Sequence, residues 1–390
     1  MEKEEKEKKE EKESDGKGNN SSVIWFVGIA AVVVIALIYY FIGYKGITGN
    51  VISEQGDIKI IKVGFMGPLT GDASSYGESI KRGVDLALKD SGLENVEIIY
   101  EDTKCDGKEA VSAINKLINV NGVSAIVGEV CSGATLAAAP IAEENKIVMI
   151  SASSTSPEIT KSGDYIFRTV PSDSLQGSFG ANLAYNKGYR KLAILHSNEE
   201  YGVGFRDVLK DKFSELGGQV VISEAFERGS TDLRTQLTKI KNSNPEVIYI
   251  ISNSPDSAVA ALKQIKELGI KSALFGSEGL KGPEVQELGE PADGLIITSV
   301  SSGSTGFNEN HKKEYGTEPG PFAAQGYDAF SVIALALKKN VLDKEAMRDY
   351  AYDAQFGGAS GRIAFDSNGD IFSSNYELYE VRNKTFVSLI

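Results

Sequence analysis

Residues that bind metals or act as catalytic bases are scarce in this chain. It has two cysteines and two histidines among its 390 residues. His196 and His311 lie in separate segments, and the chain contains neither a Cys-x-x-Cys nor a His-x-x-x-His pair. Structural zinc sites typically use such closely spaced pairs. The sequence therefore predicts neither a metal nor a cofactor.

Basic residues are also fewer than acidic ones, with 41 Lys and Arg against 54 Asp and Glu. The formal net charge is −13 at pH 7, so the chain offers no basic face that would neutralise phosphates. We therefore expect no nucleic-acid partner. Internal tandem repeats are absent as well. The 41% hydrophobic content and the length allow a sizeable buried core, divided into about two lobes.

A long uncharged segment stands near the N-terminus. Residues 23–43 carry no charge, and a helix of this length crosses ~30 Å of hydrocarbon. Six lysines precede the segment, whereas only Lys45, Lys59 and Lys62 follow it at a similar distance. This bias predicts a cytoplasmic tail (1–22), a single-pass membrane anchor (23–44), a linker (45–56) and an extracytoplasmic body. A cleaved signal peptide is the alternative, but the segment exceeds the usual length and no Ala-x-Ala site follows it.

From residue 57 onward, strand-like and helix-like segments alternate. Ile58–Met66 is a predicted buried strand, and Tyr76–Ser91 is a predicted amphipathic helix. The same alternation restarts at Ser174, with Lys191–His196 as its first strand. The pattern predicts an α/β fold of two doubly wound parallel-sheet lobes, preceded by the N-terminal transmembrane helix. A ligand would bind in the cleft between the lobes.

Two hydroxyl-rich loops follow apolar strands. The first contains Ser132 and Thr135, and the second contains Ser153 and Thr155. At the carboxyl edge of a parallel sheet, such loops offer hydroxyls and helix N-terminal N–H groups to an anion. No base or metal ligand lies nearby in the sequence, so we expect a binding protein and not an enzyme. The competing interpretations are simple helix capping and a hydrolase with Ser132 as its nucleophile.

Three further features carry predictions of their own. Cys105 and Cys131 each follow a strand, so they can form a disulfide if those strands are neighbours, or else remain as two free thiols. Glu278 stands in a loop after a strand, where an acid is usually solvated. Asp366-Ser-Asn-Gly-Asp370 lacks the final glutamate of a calcium loop and is predicted to be a turn.

Several separated motifs resemble one family. The chain from Ile60 to its end is similar to the type I periplasmic-binding-protein superfamily, specifically the substrate-binding proteins of branched-chain amino-acid ABC importers. The motifs that carry this resemblance are Gly67-Pro-Leu-Thr-Gly71 with Tyr76-Gly77, Cys131-Ser-Gly-Ala-Thr135, Phe167-Arg-Thr-Val-Pro171 with Asp173 and Gln176-Gly177, Glu200-Tyr-Gly-Val-Gly204, Tyr327-Asp-Ala329 and Phe365-Asp-Ser-Asn-Gly369.

The resemblance implies a role for each site residue. Ser132, with Ser153 and Thr155, would hold the carboxylate of an amino acid. Glu278 would accept its ammonium from the opposite lobe, and Tyr76 and Tyr201 would cover it. The list of implied ligand-binding residues is Tyr76, Ser132, Ser153, Thr155, Tyr201, Asn253 and Glu278. The family also has a disulfide that matches Cys105–Cys131.

One position departs from the family. Asn253 falls where branched-chain binders commonly place an aromatic residue, so the ligand is either a branched-chain amino acid, a polar amino acid or a small amide of the urea type. The resemblance implies lobes formed by 57–173 with 301–354 and by 174–300 with 355–390. It implies a solute-binding protein that closes by a hinge and delivers its ligand to ABC permease subunits in the membrane. A ligand-sensing receptor module of the same fold is the alternative function.

Overall fold

The computed structural model describes residues 59–372 and 376–389. The predicted tail (1–22), membrane anchor (23–44) and linker (45–56) lie outside the described residues and stay predictions. Among the helices of the described part, none combines the length and the apolar character that crossing a membrane requires.

The described elements alternate between strands and helices along the chain. The strands are β1 Ile61–Gly67, β2 Val96–Asp102, β3 Ala125–Val127, β4 Met149–Ser151, β5 Ile166–Arg168, β6 Lys191–Ser197, β7 Gln219–Phe226, β8 Val247–Ile251, β9 Ala273–Gly276, β10 Ile296–Val300, β11 Phe356–Gly357, β12 Arg362–Ile363, β13 Tyr376–Arg382 and β14 Thr385–Ser388. The α-helices are α1 Ser74–Ser91, α2 Gly107–Lys116, α3 Ser132–Asn145, α4 Asp173–Asn186, α5 Glu200–Glu215, α6 Arg234–Asn242, α7 Pro255–Glu267, α8 Pro283–Gln286, α9 Thr305–Tyr315, α10 Ala323–Lys338 and α11 Lys344–Asp353.

Two large sheets organise these elements into two lobes. The first lobe contains a parallel sheet of order β2-β1-β3-β4-β5. The second lobe contains a sheet of order β14-β13-β10-β9-β8-β6-β7, which is parallel from β10 to β7. The hairpin of β13 and β14 joins its edge in antiparallel pairing. The prediction of two parallel-sheet α/β lobes is confirmed.

Local sequence explains where several helices begin. The Asp106 carboxylate accepts hydrogen bonds from the N–H groups of Lys108 and Glu109 at the start of α2. At the start of α7, the Ser254 hydroxyl accepts from the Ser257 N–H, and Pro255 occupies the first helical position. Both arrangements satisfy N–H groups that have no partner inside the helix. The hydrophobic pattern then fixes which face of each helix covers a sheet.

Helix α10 belongs to the first lobe although it follows the second lobe in the chain. It packs along α1 so closely that a Cβ on Gly83 would lie 2.0 Å from the Ala323 carbonyl oxygen. Only glycine permits this approach. Phe330 and Ile333 of α10 are buried in the same core as the strands of the first sheet. The segment after Val300 therefore returns to the first lobe.

The last passage between the lobes lies later than the sequence suggested. Ile363, Phe365 and Ile371 pack into the core of the first lobe, and the Phe365 ring meets the Phe167 ring edge-on with centroids 5.2 Å apart. The chain rejoins the second sheet only at Tyr376. The sequence analysis placed this passage at residues 354 and 355. The apolar side chains after residue 355 are what keep the segment on the first lobe.

A buried ion pair fixes the end of that segment. The Arg168 side chain is fully buried, and its Nε and Nη2 donate to the two carboxylate oxygens of Asp370 at 2.6 and 2.8 Å. The remaining guanidinium N–H groups donate to the carbonyl oxygens of Ser154 and Ser156 and to the Thr160 hydroxyl. One side chain thus joins β5, the second hydroxyl loop and the turn before β13.

We expect Asp370→Asn to destabilise the protein by about 3–5 kcal/mol, because the substitution leaves the buried Arg168 charge without its carboxylate. Urea unfolding followed by circular dichroism measures the change. The matched control is Glu267→Gln, which removes the exposed Arg234–Glu267 pair and should cost less than about 1 kcal/mol. Equal losses in the two variants would contradict the prediction.

Candidate ligand-binding site

The two hydroxyl loops lie side by side, as their positions at strand ends predict. The Ser153 hydroxyl donates to the Val130 carbonyl oxygen at 2.7 Å, and the Ser156 N–H donates to the Ser132 hydroxyl at 3.2 Å. Ser132 is also the first residue of α3, whose first-turn N–H groups have no partner within the helix. The loops therefore present hydroxyls and N–H groups together, which suits a carboxylate.

A disulfide holds the first of these loops. Cys105 and Cys131 are bonded, with their Cα atoms 5.4 Å apart. Cys105 follows β2 and Cys131 follows the β3 region, so the bond joins two loops at the same edge of the sheet. In the chain-entropy model, closing a loop of this size contributes about 3 kcal/mol. The bond also fixes the residue directly before Ser132.

Beneath the loops lies a buried acid that sequence reasoning did not single out. Glu129 is fully buried, and its backbone carbonyl accepts from the hydroxyls of Ser151 and Ser154. Its carboxylate accepts from the Cys131 N–H and the Thr103 hydroxyl. Burial raises the pKa of Glu129 to about 7, although these hydrogen bonds oppose the shift. Glu129 therefore joins the two loops from below.

The second lobe contributes the opposing acid. Glu278 is 4% exposed and begins a short 3₁₀ turn after β9. The Gln176 Nε2 donates to Glu278 Oε2 at 2.5 Å and to the Thr298 carbonyl oxygen at 3.1 Å, which holds the carboxylate in place. Tyr201, on α5, donates its hydroxyl to Ser277 Oγ at 2.8 Å. The acid and the tyrosine thus line the same wall.

Burial dominates the electrostatics of this wall. It raises the pKa of Glu278 to about 7, against the opposing effect of hydrogen bonds that include the one from Gln176. It also raises the pKa of the fully buried Asp173, and the nearby Glu278 charge adds to that shift. An ammonium group placed beside Glu278 would favour its ionised form. The wall is therefore arranged to receive a positive charge.

The lobes touch across the cleft. The Tyr76 hydroxyl, in the first lobe, donates to the Gly279 carbonyl oxygen in the second lobe at 2.7 Å. At another point, Arg228 of the second lobe meets two groups of the first lobe. Its Nη1 donates to the Cys105 carbonyl oxygen at 2.9 Å, and its Nε lies 3.3 Å from Asp72 Oδ2. The structure is therefore in a closed arrangement.

These contacts enclose a cavity of about 40 Å³. Its wall includes six of the seven residues that the sequence analysis named, namely Tyr76, Ser132, Ser153, Tyr201, Asn253 and Glu278. Thr155 is buried and is not on this wall; its backbone carbonyl accepts from the Asp173 N–H at 2.8 Å. The structure thus brings the predicted residues together, apart from Thr155.

Two residues of the site were missed. Phe322 lines the cavity and adopts a left-handed backbone conformation with φ +61°, which is unusual for a bulky residue. Its position just after Pro319-Gly-Pro321 was the available signal. Gln176 was quoted only as part of a family motif. Its contact with Glu278 spans 102 residues of sequence, and no local pattern predicts such a pairing.

Among residues 59–372 and 376–389, no group of three or more His, Cys, Asp or Glu side chains is arranged to hold a metal ion. The described walls offer hydroxyls, N–H groups and the Glu278 carboxylate. These groups are complementary to a small molecule with an anionic end and a cationic end.

Two parallel-sheet lobes that meet across a cavity lined by Ser132, Tyr201 and Glu278 define a hinge-closing binding protein for small molecules. The chain belongs to the periplasmic binding protein family, whose sequence model matches residues 60–385. This match confirms the family resemblance that the separated motifs suggested.

Curated relatives and solved structures agree with this assignment. The chain is 29% identical to the leucine-, isoleucine-, valine-, threonine- and alanine-binding protein of Pseudomonas aeruginosa, over 82% of this chain and 89% of that protein. Its fold is similar to the crystal structure of a leucine-binding protein, LivK, from Thermotoga maritima, with 32% identity, a TM-score of 0.79, and coverage of 85% and 98%. It is also similar to LivJ of Streptococcus pneumoniae in complex with isoleucine, with 27% identity, a TM-score of 0.77, and coverage of 85% and 100%.

We expect Arg228→Met to shift the lobes toward an open arrangement, because the substitution removes both contacts of this side chain with the first lobe. Single-molecule energy transfer between dyes on Lys108→Cys in the first lobe and Lys210→Cys in the second lobe measures the change. Arg234→Met is the matched control, since among the described residues Arg234 forms its ion pairs with Asp232 and Glu267, which are acids of its own lobe. Identical distributions in all three proteins would contradict the prediction.

Proposed function

We propose that this protein is the extracytoplasmic solute-binding component of an ABC importer, which closes around an amino acid and delivers it to permease subunits in the membrane. The observation that carries the proposal is that the two walls of the cleft carry complementary groups. Hydroxyls and helix N–H groups stand on one lobe, and the buried carboxylate of Glu278 stands on the other. A zwitterion has complementary groups at its two ends.

The residues divide the work between the two lobes. Ser132 and Ser153, with the N–H groups at the start of α3, bind the carboxylate of the ligand. Glu278 accepts its ammonium, and Gln176 keeps Glu278 oriented. Relatives in the family are named as leucine-, isoleucine- and valine-binding proteins, which supports an amino acid as the ligand.

Closure makes these contacts effective. Tyr76 and Tyr201 exclude water from the ligand, since both tyrosines are buried when the lobes meet. Exclusion of water strengthens the interaction of each charged end with its partner. In this proposal the protein has no catalytic role, and movement about the segments that join the lobes is its working motion.

We expect Glu278→Gln to weaken the binding of L-leucine by about 30-fold or more at pH 8, because a buried ammonium would lose its charged partner. For the wild type, affinity should fall as the pH is lowered from 8 to 6. The pKa of Glu278 is raised to about 7, so acid protonates the carboxylate and removes the charge that the ammonium needs. Isothermal titration calorimetry measures both effects.

The control for this experiment is Glu290→Gln, which replaces an exposed glutamate outside the cleft. It should bind L-leucine as the wild type does and keep the wild-type pH dependence. The Glu278→Gln variant should lose most of the dependence between pH 6 and pH 8. Wild-type affinity in Glu278→Gln, or no binding of any amino acid by the wild type, would overturn the proposal.

The membrane attachment is a separate part of the proposal. Residues 23–44 anchor the protein, with the lysine-rich tail of residues 1–22 in the cytoplasm and the binding lobes outside. The uncharged run and the bias of lysines toward its N-terminal side support this arrangement. Such an anchor would keep the lobes beside the permease.

We expect the full-length protein to stay in the membrane pellet after extraction with alkaline carbonate, because a spanning helix is removed only by detergent. A variant that lacks residues 1–44 should appear in the soluble fraction. Immunoblotting of the two fractions measures the distribution. Release of the full-length protein by carbonate would argue against the anchor.

A further inference from the structure

A second and larger cavity lies in the same cleft. Its volume is about 420 Å³, and Glu278 and Phe322 line both it and the smaller cavity beside the hydroxyl loops. Its walls come from residues 281–286 of the second lobe, from residues 299–302 between the lobes, and from residues 317–325 of the first lobe. Because both lobes contribute, the closed arrangement creates this cavity, which we call the side-chain chamber.

The two cavities differ in volume, so they suit different parts of a ligand. One water needs about 10–15 Å³ of such volume, so the 40 Å³ beside the hydroxyl loops corresponds to about three water-sized groups. That space suits the ammonium and carboxylate end of an amino acid. The ligand's side chain continues past Glu278 and Phe322 into the side-chain chamber, which has about ten times the volume.

An acceptor without a partner stands on the chamber wall. Gln325 is 2% exposed, and its Nε2 donates to the Ser301 carbonyl oxygen at 2.9 Å. Its Oε1 is buried and has no hydrogen-bond partner among the described residues. Leaving such an atom unsatisfied costs free energy, which a donor on the ligand would recover.

The smaller cavity repeats this feature. Asn253 lines that cavity, and its Oδ1 is likewise buried and without a partner in the described part of the chain. Each cavity therefore has on its wall one residue with a buried amide oxygen that lacks a partner. An aliphatic side chain in the side-chain chamber would leave the Gln325 oxygen unsatisfied, whereas a side chain with N–H groups would satisfy it.

The charges around the chamber disfavour an acidic side chain. Lys281 is the cation on its wall, and its ammonium already has several partners. Its Nζ contacts the Ser302 hydroxyl, lies 3.7 Å from Glu377 Oε2, and stands 3.7 Å from the centre of the Tyr379 ring. A ligand carboxylate would compete with Glu377 and would also approach Glu278. A neutral carbonyl oxygen can accept from Lys281 without this repulsion.

We propose that the side-chain chamber binds a neutral side chain that donates N–H groups, so that the preferred ligand is an α-amino acid with a terminal primary amide, such as L-glutamine. A primary amide carries both a carbonyl oxygen for Lys281 and N–H groups for Gln325. This inference rests on the proposed function, since it assumes that the amino and carboxylate groups of the ligand bind at Glu278 and Ser132. It makes Gln325 and Lys281 the residues that determine specificity for the side chain.

The test compares L-glutamine and L-leucine, two side chains of similar size, by isothermal titration calorimetry on the full-length protein. The wild type should bind L-glutamine at least about tenfold more tightly than L-leucine. Gln325→Leu should weaken the binding of L-glutamine about tenfold and change that of L-leucine by less than about threefold. The ratio of the two affinities is the readout, because general damage to the fold would weaken both ligands together.

Two further variants make the outcome unambiguous. Lys281→Met removes the donor that the ligand's amide oxygen would use in the side-chain chamber and should shift the ratio toward L-leucine even if Gln325→Leu fails to fold. Gln236→Leu removes a half-buried glutamine outside both cavities and should leave the ratio unchanged. Tighter binding of L-leucine by the wild type, with a ratio that the Gln325 and Lys281 variants do not move, would overturn the inference and leave the proposed function intact. Absence of binding by either amino acid, or by any other, would overturn both.

Discussion

The buried guanidinium of Arg168 is the interaction on which the rest of the site depends. It donates to the Asp370 carboxylate through two nitrogens and to the carbonyl oxygens of Ser154 and Ser156, and the Arg168 side chain itself has no contact with solvent. A planar guanidinium satisfies these directions at once, whereas a lysine ammonium could not match the carboxylate in the same bidentate way. The hydroxyl loop therefore takes its shape from a residue that never meets the ligand.

Three contacts, including that of Arg168, hold the two hydroxyl loops of the ligand-binding wall in place. Arg168 holds the loop of Ser153 from one side, Glu129 joins it to the first hydroxyl loop from below, and the Cys105–Cys131 bond fixes that first loop from the other side. Each hydroxyl is thereby oriented before a ligand arrives. Preorganisation of this kind reduces the entropy that binding would otherwise cost. The second lobe then needs to supply only one oriented carboxylate, which Gln176 holds.

The features of the fold and the site that the sequence predicts are those that depend on residues close together in the chain. The alternation of strands and helices located the lobes, and the positions of Ser132 and Ser153 after apolar strands located one wall. The family motifs pointed to Glu278. Pairings such as Arg168 with Asp370, 202 residues apart, leave no local pattern. Gln325 also lacks a sequence signal, because only the three-dimensional structure shows that its Oε1 has no hydrogen-bond partner among the described residues. The passage between lobes was misplaced because strand-like residues after 355 carry no mark of the sheet or core they join.

The contacts of Arg228 with the first lobe bear on how the ligand specificity of such a protein can change. Arg228 and Asp72 lie on the wall of neither cavity, whereas the contact of Tyr76 with Gly279 joins the lobes at the cavity wall itself. Part of the interaction that closes the lobes is therefore independent of the residues that line the cavities. A substitution at a cavity residue such as Gln325 leaves the Arg228 contacts in place. Ligand preference can therefore change without the loss of this part of the closed arrangement.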